Sequence, residues 1–174
     1  MFKKKRMTKV EKKERRARKR NKKKFFKSIK TLLLLLLLII LGIVGFIFYN
    51  GYNLYKDVID NVSIEDKVKE IKSNNNYVNI NQVSKHYKDA VVAVEDHRFY
   101  EHSGFDLITT MSAAFSNLKT KSLGQGGSTI TQQLSKNMYF TQEKKFTRKV
   151  AELFMSFELE KRLSKNEIFD SLAK

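Results

Sequence analysis

The chain has 174 residues, with 35 Lys and Arg against 18 Asp and Glu, a net charge of +17, and neither cysteine nor proline. The missing cysteines exclude disulfides, thiolate-held zinc and a thiol nucleophile. The charge is uneven: residues 1–30 hold 17 Lys and Arg and only two acids, Glu11 and Glu14, so the strongly basic balance belongs to that segment and not to a folded domain.

The runs Lys3–Arg6 and Arg15–Arg20 repel themselves and have little to bury, so residues 1–30 read as a disordered or loosely helical basic tail. Such a tail is either an arm for nucleic acid or anionic lipid, or a topology signal. The next segment favours the topology signal, and no nucleic-acid partner is expected. From Thr31 to Tyr55 no residue is charged, and Leu32–Phe48 is almost wholly apolar. A membrane-spanning helix needs roughly 20 apolar residues to cross ~30 Å of hydrocarbon. Tyr49, Tyr52 and Tyr55 then stand where an interfacial aromatic belt lies. A cleaved signal peptide has a shorter apolar region and a small-residue cleavage site, and Tyr49-Asn50-Gly51-Tyr52 offers none. The segment 31–49 is therefore read as an uncleaved transmembrane helix. The excess of Lys and Arg before it keeps the tail cytoplasmic and puts the rest of the chain outside.

Residues 50–80 read as an extracytoplasmic spacer, broken at Ser73-Asn74-Asn75-Asn76, with Val58, Val62, Ile64, Val68 and Ile71 forming a short helix. Residues 81–174 read as the folded domain. Val83, Tyr87, Ala90, Val91 and Val94 share one helical face, and Leu107, Ile108, Met111, Phe115 and Leu118 repeat that spacing. Leu123–Gly127 reads as a flexible loop. Thr129 and Gln132 have the spacing of a capping box, opening a helix to about Asn137. A last helix is expected over 147–163 with Val150, Leu153, Phe154 and Phe157 as its apolar stripe. With no convincing alternating run, the fold class is mainly α.

Glu95 closes the first of these helices. There the negative end of the helix dipole and partial burial would favour its protonated form, which suits proton transfer, although a carboxylate at a helix end is more often simply solvated. Glu152 lies off the expected apolar stripe, four residues after Arg148, which alone describes an exposed ion pair. Gly126-Gly127-Ser128-Thr129 before a helix can present backbone N–H groups to a phosphate or pyrophosphate, with Lys136, Lys144, Lys145, Arg148 and Lys149 downstream. His97 and His102 lack a third ligand and are not read as a metal site, and His102 is expected in a structural hydrogen bond.

Three stretches resemble the signatures of the penicillin-binding-protein transglycosylases, glycosyltransferase family 51. Glu95-Asp96-His97-Arg98-Phe99-Tyr100-Glu101-His102-Ser103-Gly104 resembles E-D-x-x-F-x-x-H-x-G. The run Gly126–Asn137 resembles G-G-S-T-I-T-Q-Q-x-x-K-N. Arg148-Lys149-Val150-Ala151-Glu152 resembles R-K-x-x-E. Their order and spacing agree, and the similarity covers about residues 80–170. The resemblance implies a single N-terminal transmembrane helix followed by a lysozyme-like helical domain that polymerises lipid II into glycan strands and releases undecaprenyl pyrophosphate. It implies Glu95 as general base and Glu152 as the second glutamate. Lys136, Lys144 and Arg148 would face the pyrophosphate, and Ser128, Thr129, Gln132 and Gln133 would shape the cleft. No cofactor is required by these motifs, and a divalent cation (Mg or Mn) at the pyrophosphate is left open. The partners implied are the membrane, lipid II, the lipid-linked glycan and other cell-wall synthesis proteins.

Two departures bear on this reading. Ser112 stands where the family has an arginine, and Ser164–Asp170 follows the family's next helix without its Y-L-N continuation. An incomplete domain is therefore expected, as in a fragment, a frameshifted product or a degraded copy. The competing reading is a non-catalytic, membrane-anchored protein that binds lipid II or divisome components. A lysozyme-like hydrolase is disfavoured by the Gly126–Asn137 signature, and a transpeptidase half would need a Ser-x-x-Lys downstream of this domain.

Overall fold

The computed structural model describes residues 9–75, 77–121, 126–140 and 145–172. Among them the regular structure is helical, as expected: α1 (Lys9–Asn61), α2 (Ile64–Lys72), a 3₁₀ turn (Ile80–Gln82), α3 (Lys85–Glu95), α4 (Leu107–Thr120), α5 (Ile130–Tyr139), α6 (Phe146–Arg162) and α7 (Lys165–Leu172). The chain divides into two compact units, residues 1–46 and 47–174. The first consists of most of α1, which is long and apolar enough to cross a membrane. Helix is already formed at Lys9, inside the basic segment read as disordered or loosely helical.

In the second unit the helix starts are written locally. Ser63, Ser84 and Asp106 accept hydrogen bonds from the backbone N–H groups of Asp66, Tyr87 and Thr109, each satisfying a donor that the first turn leaves free. Thr129 and Gln132 form the expected reciprocal capping box at α5. α4 ends at Lys121, which adopts the left-handed conformation (φ 51°).

The core gathers Ile64, Phe99, Ile130, Leu134, Met138, Met155, Leu159, Ile168 and Phe169. α5 is its centre, packed chiefly on α6 and α7. The residues read as a spacer are not loose. The end of α1 contributes Tyr55, Val58 and Ile59 to the edge of the core, and the Tyr139 hydroxyl donates to the Val62 carbonyl at 3.2 Å.

The apolar stripes are the main correction. α4 buries only Ala113, while Phe115 and Leu118 are 70% and 78% exposed. α3 buries no residue completely. α6 buries Ala151, Glu152, Met155, Ser156 and Leu159, not the expected stripe of Val150, Leu153, Phe154 and Phe157. Periodicity shows which side chains share a face, but not which face is covered. On α4 and α6 the closest packing takes place on small residues, because they let backbones approach.

Candidate active site

The first motif forms the corner after α3. Asp96 is the C-cap residue of α3 and is almost wholly buried. Its carboxylate accepts from His102 Nε2 at 2.9 Å and from the backbone N–H of Ile130 at 3.0 Å. The second of these bonds satisfies a free donor at the start of α5, where the positive end of the helix dipole favours an anion. One residue thus fastens the first motif to the second, and the structural hydrogen bond expected of His102 is present.

Gly104 sits at φ +88°, a conformation that side chains disfavour, and a Cβ there would lie 2.9 Å from the Ser156 carbonyl oxygen. Its own carbonyl accepts from Thr129 Oγ1 at 2.8 Å. The corner is therefore locked to α6 on one side and to the cap of α5 on the other. Gly127 does the same for α4: a Cβ there would come 3.2 Å from Ala113 Cβ, and its carbonyl accepts from Thr110 Oγ1 at 3.1 Å.

These constraints enclose an open cavity of about 850 Å³ lined by Glu95, His97, Arg98, Ser112, Ser128, Gln133 and Lys136, with Val94 and Ile108 as apolar wall. Glu95 is exposed to it, not partly buried as expected, because the last turn of α3 projects beyond the packed corner. Gln133 Nε2 donates to Glu95 Oε2 at 2.6 Å and so fixes the carboxylate's orientation. Ser112, at the position of the family's arginine, also faces this cavity.

Glu152 is not the exposed pair that its helical position predicts. It is 1% exposed and forms ion pairs with Arg148 and with Lys149, the latter at 3.0 Å. The reason is that α5 covers the polar side of α6: Ser135 Oγ donates to the Glu152 carbonyl at 3.2 Å. Lys149 Nζ also donates to Ser128 Oγ at 2.8 Å. Burial lowers the Lys149 ammonium below the ordinary lysine range, and the charges of Arg148 and Lys136 push it the same way.

Ser128, Gln133, Lys136 and Glu95 thus line one cavity, and Glu152 with Arg148 reaches it through Lys149 and Ser128. Thr129 and Gln132 do not line it. They are buried in the capping box of α5. Lys144 lies outside the described residues. Lys149 was legible in the sequence as a downstream cation and as part of the third motif, but not as a site residue; its bond to Ser128 joins α6 to the residues before α5, which no local signal encodes. No group of three His, Asp or Glu suited to a metal occurs among the described residues. Glu152 is already shared by two cations.

A family model described as Transglycosylase matches residues 63–172. The monofunctional glycosyltransferase of Staphylococcus aureus strain JH9 is 44% identical over 103 residues, covering 59% of this chain and 38% of that protein. Penicillin-binding protein 4 of Bacillus subtilis strain 168 is 46% identical over 94 residues, 54% of this chain and 15% of its own length. The chain thus spans well under half the length of these relatives. The match from Ser63 to Leu172 takes in all three motifs, and on that ground the chain belongs to the transglycosylase family, glycosyltransferase family 51.

Proposed function

We propose that this chain acts in peptidoglycan synthesis, transferring a growing glycan from its undecaprenyl pyrophosphate carrier to lipid II. The observation that supports this best is the division of labour around one cavity. An oriented carboxylate, Glu95, and the cation Lys136 line it, and Lys149, paired with Glu152 beside Arg148, reaches it through Ser128.

Glu95 takes the proton of the acceptor's 4-hydroxyl as that oxygen attacks the anomeric carbon of the glycan. The bond from that carbon to the pyrophosphate oxygen breaks, and the bonding electrons leave with the pyrophosphate. Positive charge fixed in advance stabilises the departing anion without reorganisation. Lys136, Lys149 and Arg148 supply it, and Glu152 keeps two of these cations in place. Gln133 holds Glu95 toward the acceptor. The N-terminal helix holds the domain at the surface where both lipid-borne substrates reside, with the basic tail in the cytoplasm.

The test is glycan polymerisation from labelled lipid II in detergent by the chain and by Glu95→Gln. Polymer from the first and none from the second is expected. Equal polymer from both would remove Glu95 as base. Lipid II binding without polymer in either would favour the non-catalytic binder.

A further inference from the structure

α6 carries Arg148, Lys149 and Glu152, and it is confined on two sides by glycines. On one side Gly104 meets the Ser156 carbonyl, Ser135 bonds to the Glu152 carbonyl, and Ala151, Met155 and Leu159 are fully buried. On the other side lies the end of α1. A Cβ at Gly51 would stand 2.6 Å from both Cβ and Cγ1 of Val150 and 2.9 Å from the Thr147 carbonyl oxygen. Neither neighbour can swing away: a valine Cβ is fixed by its backbone, and the carbonyl is backbone. Tyr52 and Tyr55 continue the seam, with ring centroids 5.3 and 5.9 Å from that of Phe154. Glycine is otherwise a poor choice within a helix. Gly42 and Gly45 on the same helix have nothing within 4 Å of such a Cβ, so close approach is particular to Gly51.

From this we infer that Gly51 is a positioning residue for the transfer reaction. By letting the outer part of α1 lie directly on α6, it sets α6 in the place that brings Lys149 to Ser128 and to the cavity. The link to catalysis rests on the function proposed above. Carbon atoms need about 3.5–4.0 Å, so a methyl at position 51 parts the helices by about 1 Å. α6 is wedged against α5 and the Gly104 corner, and its first turns, with Thr147 to Val150, take the strain. A shift of that size there breaks the 2.8 Å bond from Lys149 to Ser128. Misplacement by about 1 Å far from the chemistry can cost on the order of 100-fold in rate.

The experiment compares the full chain in detergent with Gly51→Ala and with Gly51→Ala/Val150→Gly, which removes the opposing side chain. Two readouts are taken. The first is the NMR titration of the Lys149 side chain in lysine-labelled protein; this amine faces Ser128, Glu152, Arg148 and Lys136. Gly51→Ala is expected to move its midpoint toward that of an exposed lysine, and the double variant, which keeps the Thr147 carbonyl contact, to bring it part of the way back. The second is polymerisation of labelled lipid II per folded molecule. The single variant is expected to lose about tenfold or more in kcat with KM little changed, and the double variant to recover part of it. Because alanine favours helix, a purely structural role predicts no loss per folded molecule and an unmoved titration, and that result would overturn the inference. If Gly51→Ala does not fold, Val150→Ile crowds the seam from α6 and should move the titration in the same direction; an unmoved one overturns the inference equally. Absence of polymer from the parent would count against the proposed function, while the titration would still decide the role of Gly51.

Discussion

The pair α5–α6 and the pair α3–α4 both border the cavity, yet they are built in opposite ways. α5 and α6 bury six and five of their residues, polar ones included. α3 and α4 together bury one residue fully, and Val94, Phe115 and Leu118 are 82%, 70% and 78% exposed. One side of the site is therefore fixed by packing and charge, and the other is attached through the Asp96–Gly104 corner and the Gly127 contact. Under the proposed function, the groups that would hold the leaving anion, which must be preorganised, stand on the fixed side. Glu95, the base of that proposal, stands on the less packed side.

Substitutions on the two sides should differ accordingly. Glu152→Ala strips the counter-charge from Arg148 and Lys149 in a buried setting, where breaking an ion pair costs about 3 kcal/mol or more. Thermal unfolding should register this as a large fall in midpoint. Asp96→Ala removes the acceptor of His102 and of the Ile130 N–H. The loss of hydrogen bonds to a charged group is worth about 2 kcal/mol, and a denaturant titration should show it together with lost activity. A smaller effect is expected at Asp106. Burial alone would raise its carboxyl, but bonds from Thr109 and the charge of Arg98 outweigh this and hold it below the usual carboxylate range. A depressed folded-state value gives stability that is present above about pH 4 and is lost as the pH falls below it. Stability of the chain should therefore fall more steeply than that of Asp106→Asn below pH 4, and parallel curves would contradict this. Least of all, Leu118→Ser on the open face of α4 should change stability by no more than about 0.5 kcal/mol. A large loss there would erase the contrast between the two sides.

Much of this was legible in the sequence where the signal is local. The capping box of Thr129 and Gln132, the helices near 107–118 and 147–163, and the apolar segment after the basic tail need only neighbours in the chain. The burial of Glu152 was not legible, because it depends on α5 lying across α6 and on Ser128 arriving from another motif. The stripe of α4 misled for the complementary reason: Met111, Phe115 and Leu118 share a face that nothing described here covers. The ordered end of α1 was hidden by polarity, since Tyr52 and Tyr55 pack through rings and Gly51 through having no side chain at all.

The central claim is that proton removal and leaving-group stabilisation are carried by separate parts of one cavity. Binding and turnover of labelled lipid II, measured side by side on Glu95→Gln, test it most directly. The account predicts that this variant binds lipid II as the parent does and makes no glycan. Glycan formed at the parent's rate would contradict it.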